Sequence, residues 1–375
     1  MWSECGIVDA KLSSGSLKLS GTRLFRLLAA GVSAAALILD LIAGRLANIG
    51  LSLTLPLLVC ALTAAVLGSR VVPLLQWLKT GQVIREDGPQ AHLKKAGTPT
   101  MGGVFFVPVG ALLAVLWSVL AQTPDIAFVC AVCALTLAYG FIGWLDDWQI
   151  LRRKSNKGIS PKTKLALQIG FGVVFCLWAA LSAPAAVTAI DLPFGLALPL
   201  GLLFWPLAVF ALVAESNATN LTDGVDGLMG GMGAIGFLGL AAVVAPASPG
   251  LGIFCACMAG SCLGFVAHNR NPARVFMGDT GSLALGGAFA SVAILSNTLW
   301  PLFLISGMFF LESLSVIAQV TYYKATKGPD GVGKRLFKMA PIHHHLELSG
   351  WPEVKVVGVF YAINAVLALL ALAIR

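Results

Sequence analysis

Charge is scarce in this chain. Only 11% of its 375 residues are Asp, Glu, Lys or Arg, whereas 58% are hydrophobic, and the mean hydropathy is +0.87. A soluble domain carries about 25% charged residues, so a soluble globule with this sequence would have no way to cover its surface. Long polar stretches are also missing, which excludes a separate soluble domain of about 50 residues or more. The strict polar–apolar alternation of barrel strands is absent too, and with it the case for a membrane β-barrel. No span has the short apolar core and small-residue cleavage site of a removable signal. Histidine is rare, with five residues, and three of them are consecutive: His343, His344 and His345.

Continuous apolar runs are abundant. They fall near 25–46, 51–76, 103–121, 126–145, 165–183, 193–214, 227–246, 250–267, 282–296, 300–322 and 355–374. A helix of about 20 apolar residues crosses the roughly 30 Å hydrocarbon layer, so the expected fold is an all-α polytopic bundle of ten or eleven transmembrane spans. Residues 1–23 are polar and read as a loose N-terminal tail, followed by one integral-membrane domain over 24–375.

The net charge of +8 is distributed by topology. Most of the 25 Lys and Arg lie in 77–102, 146–164, 268–281 and 323–354, while the turns at 122–125, 184–192, 247–249 and 297–299 contain none. The positive-inside rule places the basic set in the cytoplasm, so the basicity reads as orientation, with no nucleic-acid partner. Of the eight cysteines, seven (Cys60, Cys130, Cys133, Cys176, Cys255, Cys257 and Cys262) fall inside apolar runs. There Cys behaves as a small hydrophobe. Cys130-x-x-Cys133 has no second pair to make a metal or redox site.

Carboxylates at membrane depth are costly and usually functional. Asp146 and Asp147 end one span, Asp223 and Asp226 lie in ESNATNLTDGVDGLMGG, Asp279 lies in NRNPARVFMGDTGS, and the histidine run follows in the next connection. Counting spans puts every one of these clusters on the basic face, so they are expected to converge on one cavity. Oxygen ligands without thiolates favour Mg²⁺ or Mn²⁺ over zinc. Lys94, Lys95, Lys162, Lys164, Arg270 and Arg274 supply the opposite sign, as a phosphate-rich substrate requires. Together these suggest phosphoryl transfer at a lipid boundary. Each element also has a plainer reading: Asp146–Asp147 as a solvated helix end, Asp223 and Asp226 as turn residues, Asp40 as a local partner of Arg45, and Glu312 with Gln319 as a polar stripe on one helix face. GPDGVGKR at 328–335 is not a P-loop, because Arg335 stands where Ser or Thr would hold the metal. An ion-coupled transporter would place its carboxylates near mid-span in repeated halves, and neither feature is evident.

Six ordered motifs carry a resemblance: KAGTPTMGG (95–103), DD (146–147), KGISPKTK (157–164), NATNLTDGVDGL (217–228), FMGDTGSL (276–283) and APIHHHLE (340–347). From about residue 50 onward the chain resembles the bacterial phospho-N-acetylmuramoyl-pentapeptide translocases, members of the polyprenyl-phosphate N-acetylhexosamine-1-phosphate transferase superfamily. The resemblance implies a Mg²⁺-dependent enzyme in the bacterial inner membrane, with its active site in cytoplasmic loops. It would transfer phospho-MurNAc-pentapeptide from UDP-MurNAc-pentapeptide to undecaprenyl phosphate and release UMP. A sister transferase using UDP-N-acetylglucosamine is the alternative, and a homodimer is one option for the assembly. Carried over by motif, Asp279 is the implied metal ligand, and Asp146, Asp147, Asp279 and His343 are the implied catalytic residues. Lys95, Asn220, Asp223, Gly224, Asp226 and Phe276 match nucleoside-pocket positions. Lys164, Asn217 and Asn269 match positions around the phosphates, while Gln319 and His344 border the substrate. His343 and His344 are expected to donate hydrogen bonds at the rim of a phosphate site, and His345 to be structural. The family has ten spans, so the first apolar run, 25–46, is either an extra span or an interfacial segment.

Overall fold

The computed structural model describes residues 20–78, 95, 97–153, 158–182 and 188–374. Most of the N-terminal tail, Lys94 and the first residue of KGISPKTK lie outside the described residues. All eleven apolar runs contain helix. They form α1 (Gly21–Ile42), α2 (Thr54–Trp77), α3 (Gly103–Leu120), α4 (Ile126–Arg153), α5 (Pro161–Ser182), α6 (Phe204–Thr222), α7 (Leu228–Val244), α8 (Pro249–Asn269), α9 (Gly278–Leu295), the pair α10 (Leu299–Ile305) and α11 (Gly307–Ala325), and α13 (Glu353–Ala373). The short α12 (Ile342–Leu348) carries the histidine run. In hydrocarbon only a helix satisfies its backbone within one segment, so runs this low in charge favour helix. Among the described residues nine helices are long and apolar enough to cross a membrane, or ten if α10 and α11, bent by 69°, count as one broken span. The 17-residue α7 is shorter. This is an all-α, multi-pass membrane protein.

One apolar run is α-helical only in its second part. The first part of 193–214 is not α-helical: Leu196–Pro199 (β2) pairs antiparallel with Ala189–Leu192 (β1) in a small hairpin, with short 3-10 turns, before α6 begins. Pro193, Gly195, Pro199 and Gly201 interrupt the helical repeat there, and Pro inside a helix removes a backbone donor.

Burial is graded across the bundle. The apolar windows of α8 and α9 are 94% and 89% buried, against 22% for α1 and 28% for α5. The centre packs through small residues, as membrane helices do when close backbone approach replaces the hydrophobic drive. A Cβ on Gly260 of α8 would lie 2.0 Å from the carbonyl oxygen of Leu57 in α2. Phe237 of α7 and Phe289 of α9 stack with centroids 3.7 Å apart.

The segment of uncertain course runs the length of the bundle. At its start, Arg270 sits over the Phe25 ring, 5.4 Å from the centroid, and Gly21 lies against the Asn271 backbone. At its far end, the Asp40 carboxylate accepts from the Leu53 and Thr54 N–H groups at 3.0 Å and from Ser52 Oγ at 2.7 Å. Arg45 is more distant, at 3.9 Å. Asp40 is therefore chiefly a cap for α2, and its pairing with Arg45 is secondary. α1 connects the two ends of the bundle, as a span does.

Candidate active site

The expected acidic cluster forms, but on helix ends more than on loops. Asp146 and Asp147 lie within α4, Asn217 and Asn220 in the last turns of α6, and Asp279 in the first turn of α9. α4 and α9 cross closely at Gly143, where a Cβ would stand 2.0 Å from the Asp279 carbonyl oxygen. That crossing brings the two acidic elements together.

The adjacent aspartates diverge in role. Asp147 is turned onto the start of α9, where it accepts from Thr280 Oγ1 at 2.6 Å, Thr280 N–H at 3.0 Å and Asp279 N–H at 3.2 Å. Those free amides are the unsatisfied positive end of the helix. Asp146 accepts from Ile159 N–H at 2.8 Å and lies beside Asp279. Asp279 is held between Lys164, whose ammonium donates to Oδ2, and Asn220, whose amide donates to Oδ1 at 2.7 Å. Asp223 stands beside this group. Burial, and then the charges of Asp279, Asp147 and Asp226, push its carboxyl up to about 8, even though the Gly278 backbone donates to it.

Four carboxyl groups, those of Asp146, Asp147, Asp223 and Asp279, thus gather around one ammonium, that of Lys164. An all-oxygen donor set fits a hard divalent cation. Among the described residues no three His, Cys, Asp or Glu side chains form a ready ligand cage. Mg²⁺ usually relies on one or two carboxylates and takes the rest of its shell from water and substrate phosphates. Asp279 and Asp146 meet that description.

A second group surrounds Lys95. Its ammonium donates to Asp226 Oδ1 at 2.7 Å and Glu353 Oε1 at 2.6 Å. Asn271 Nδ2 donates to Asp226 at 3.2 Å and Glu353 at 3.0 Å, and Ala273 N–H closes the ring on Asp226 at 2.9 Å. Burial alone would lower the Lys95 pKa, but Glu353 and Asp226 outweigh it and hold the amine above its usual range. Phe276 is tied to this wall by its backbone, donating to the Pro99 carbonyl at 2.8 Å and accepting from Gly102 N–H at 2.8 Å.

The three histidines point to three different partners, so they make no common metal site. His343 is fully buried and not at a rim. Its Nδ1 meets Glu312 Oε2 at 3.1 Å, while Nε2 has no hydrogen-bond partner among the described residues and lies against Gly224, where a Cβ would be 2.1 Å away. His344 pairs with Glu347 at 2.8 Å. His345 accepts from Lys338 N–H at 3.1 Å and braces that segment.

Some expected site residues hold the scaffold. Asn269 accepts from Gly227 N–H and donates to the Val275 carbonyl, each at 2.8 Å. Asn217 faces Gln168 at 3.2 Å and its own helix. Gln319 clamps the 336–337 backbone through both ends of its amide. Glu353 and Asn271 were not anticipated. An acid in the first turn of a helix reads as a dipole partner, and nothing local ties Glu353 to Lys95.

The chain matches the Glycosyl transferase family 4 model over residues 129–297, which include Asp146, Asp223 and Asp279. A phospho-N-acetylmuramoyl-pentapeptide-transferase signature matches residues 95–107, beginning on Lys95. A phospho-N-acetylmuramoyl-pentapeptide-transferase of Nostoc punctiforme is 66% identical over 368 residues, 98% of this chain and 100% of that protein. The chain belongs to the phospho-N-acetylmuramoyl-pentapeptide-transferase family. A Trichormus variabilis member is 66% identical over 98% of this chain and 99% of its own length. One from Acaryochloris marina is 58% identical over 97% and 98%. The similarity to these family members includes α1, so the extra N-terminal helix falls within the aligned length.

Proposed function

We propose that this protein transfers phospho-MurNAc-pentapeptide from UDP-MurNAc-pentapeptide to undecaprenyl phosphate at the cytoplasmic face of a bacterial inner membrane, releasing UMP. The observation that carries this reading is the meeting of Asp146, Asp223 and Asp279, from three separate parts of the chain, with Lys164 at one end of a transmembrane bundle. An enzyme acting on a lipid phosphate needs its polar centre at the headgroup plane, where helix ends lie.

In the net reaction, a phosphate oxygen of the lipid forms a bond to the sugar-bearing phosphorus, and the bond from that phosphorus to the bridging oxygen breaks. The electron pair leaves with UMP. Asp146, beside Asp279 and facing the cluster, is placed to hold the attacking phosphate or accept its proton. Lys164 supplies positive charge where phosphate oxygens crowd. Lys95, Asp226 and Phe276 form the wall proposed for the nucleoside. Mg²⁺, held by Asp279 with Asp146, would supply charge neutralisation at the diphosphate. Glu312 fixes the imidazole of His343 so that Nε2 faces the Asp223–Gly227 turn.

The test is UMP release by purified protein with undecaprenyl phosphate and Mg²⁺, offering UDP-MurNAc-pentapeptide and UDP-N-acetylglucosamine in parallel. Turnover of the first is expected; turnover of the second alone would replace this reading with that of a sister transferase.

A further inference from the structure

A cavity of about 410 Å³ opens between α11 and the segment that leads into the histidine helix. Its size is that of a ligand pocket, about 300–1,000 Å³. Three cations line it, Lys324, Lys327 and Arg335, together with Tyr323, Val316 and Met339. Among the described residues no acidic side chain lines it. The cavity therefore offers positive charge at an apolar and aromatic wall, the combination that suits a carboxylate on an organic chain.

Its placement relates it to the reaction. Glu312, Val316, Gln319 and Tyr323 follow at steps of three or four residues, so they share one face of α11, and Lys327 lies just beyond its end. The upper end of that face holds His343 through Glu312. Leu311 and Leu314, 41% and 59% exposed, lie on the opposite side of the helix, where lipid would contact it. The cavity's second wall is fixed in advance: Gln319 Oε1 accepts from Leu336 and Phe337 N–H at 3.0 and 2.8 Å, and Arg335 donates to the Lys338 carbonyl at 3.2 Å. A preformed wall lowers the ordering cost of binding.

We propose that this cavity binds the peptide arm of the nucleotide substrate through its carboxylates, with Lys324, Lys327 and Arg335 as the recognising cations. The proposal rests on the functional reading above. It makes the face of α11 a ruler along which the sugar phosphate lies near Glu312–His343 and the peptide extends toward Lys327.

The test is initial-rate kinetics with UDP-MurNAc-pentapeptide and with UDP-MurNAc lacking the peptide, using wild type, Lys324→Gln/Arg335→Gln and Lys324→Arg/Arg335→Lys. Because these side chains are exposed, the variants should fold, which thermal unfolding checks. The Gln pair is expected to raise KM for the pentapeptide substrate about ten-fold, the size of one lost charge-assisted contact. KM for undecaprenyl phosphate and kcat should stay within about two-fold, and the charge-preserving pair should restore most of the loss. An unchanged KM for the pentapeptide substrate overturns the proposal. So does an equal rise for the peptide-free nucleotide, or a rise confined to the lipid substrate, which would make the cavity a lipid-headgroup site. If wild type turns over neither nucleotide, the functional reading itself fails.

Discussion

The two ends of the bundle use the same residue type in opposite ways. At the far end, carboxylates are isolated and each serves a neighbouring backbone or side chain. Asp40 caps α2, Asp125 accepts from the Gly250 and Leu251 N–H groups at the start of α8, and Asp191 takes the Asn297 amide. At the site end, Asp146, Asp223 and Asp279 are crowded together beside a single ammonium, that of Lys164. A carboxylate at a helix terminus is thus a cap by default, and crowding among carboxylates is what marks chemistry. Asp147 sits between the two cases: it lies in the acidic group, yet its oxygens are bonded to the start of α9.

This contrast can be broken by substitution. Asp279→Asn, which retains shape and removes the charge held by Lys164, is expected to lower UMP release on the order of 10³-fold with unfolding unchanged, as when a group aimed at developing charge is lost. Near-normal turnover would return Asp279 to the class of caps. Glu312→Gln is expected to reduce kcat about 10–100-fold, the loss typical when a carboxylate that orients a functional imidazole is removed. The same loss should not recur when His343→Gln is already present, which a double-mutant comparison of rates would show.

Asp147→Asn sharpens the intermediate case. Asparagine remains a competent acceptor at a helix start, so turnover should fall about ten-fold at most, well short of Asp279→Asn. A loss equal to that of Asp279→Asn would assign the Asp147 charge to the reaction. The smallest effect belongs to the far end. Asp40→Ala should cost about 1–2 kcal/mol of stability, as a lost cap does, read from thermal unfolding, and leave the turnover of folded protein unaltered. A selective loss of turnover would show that the two ends are coupled.

Much of this was legible in the chain. Eleven long apolar runs at low charge leave helix as the sole outcome in hydrocarbon, and counting them places Asp146, Asp223, Asp279 and the histidines on one face. Three consecutive side chains on a helix diverge, so His343, His344 and His345 reach separate partners. What was hidden depends on side-chain partners far apart in sequence. Glu353 joins Lys95 across 258 residues, and Glu312 joins His343 across 31. A helix-face pattern marks such residues as polar without naming their partners. Asn217, Asn269 and Gln319 show the converse: their positions drew attention, and packing shows how each amide braces a turn or a neighbouring helix. The hairpin before α6 was masked because its apolar residues extend the hydropathy of the next span.

The most direct measurement is Mn²⁺ binding to the purified protein by electron paramagnetic resonance, with Mn²⁺ standing in for Mg²⁺. The account expects about one ion per chain in the presence of substrate, undiminished in Asp40→Ala and abolished in Asp279→Asn. Equal binding by the wild type and Asp279→Asn would contradict it.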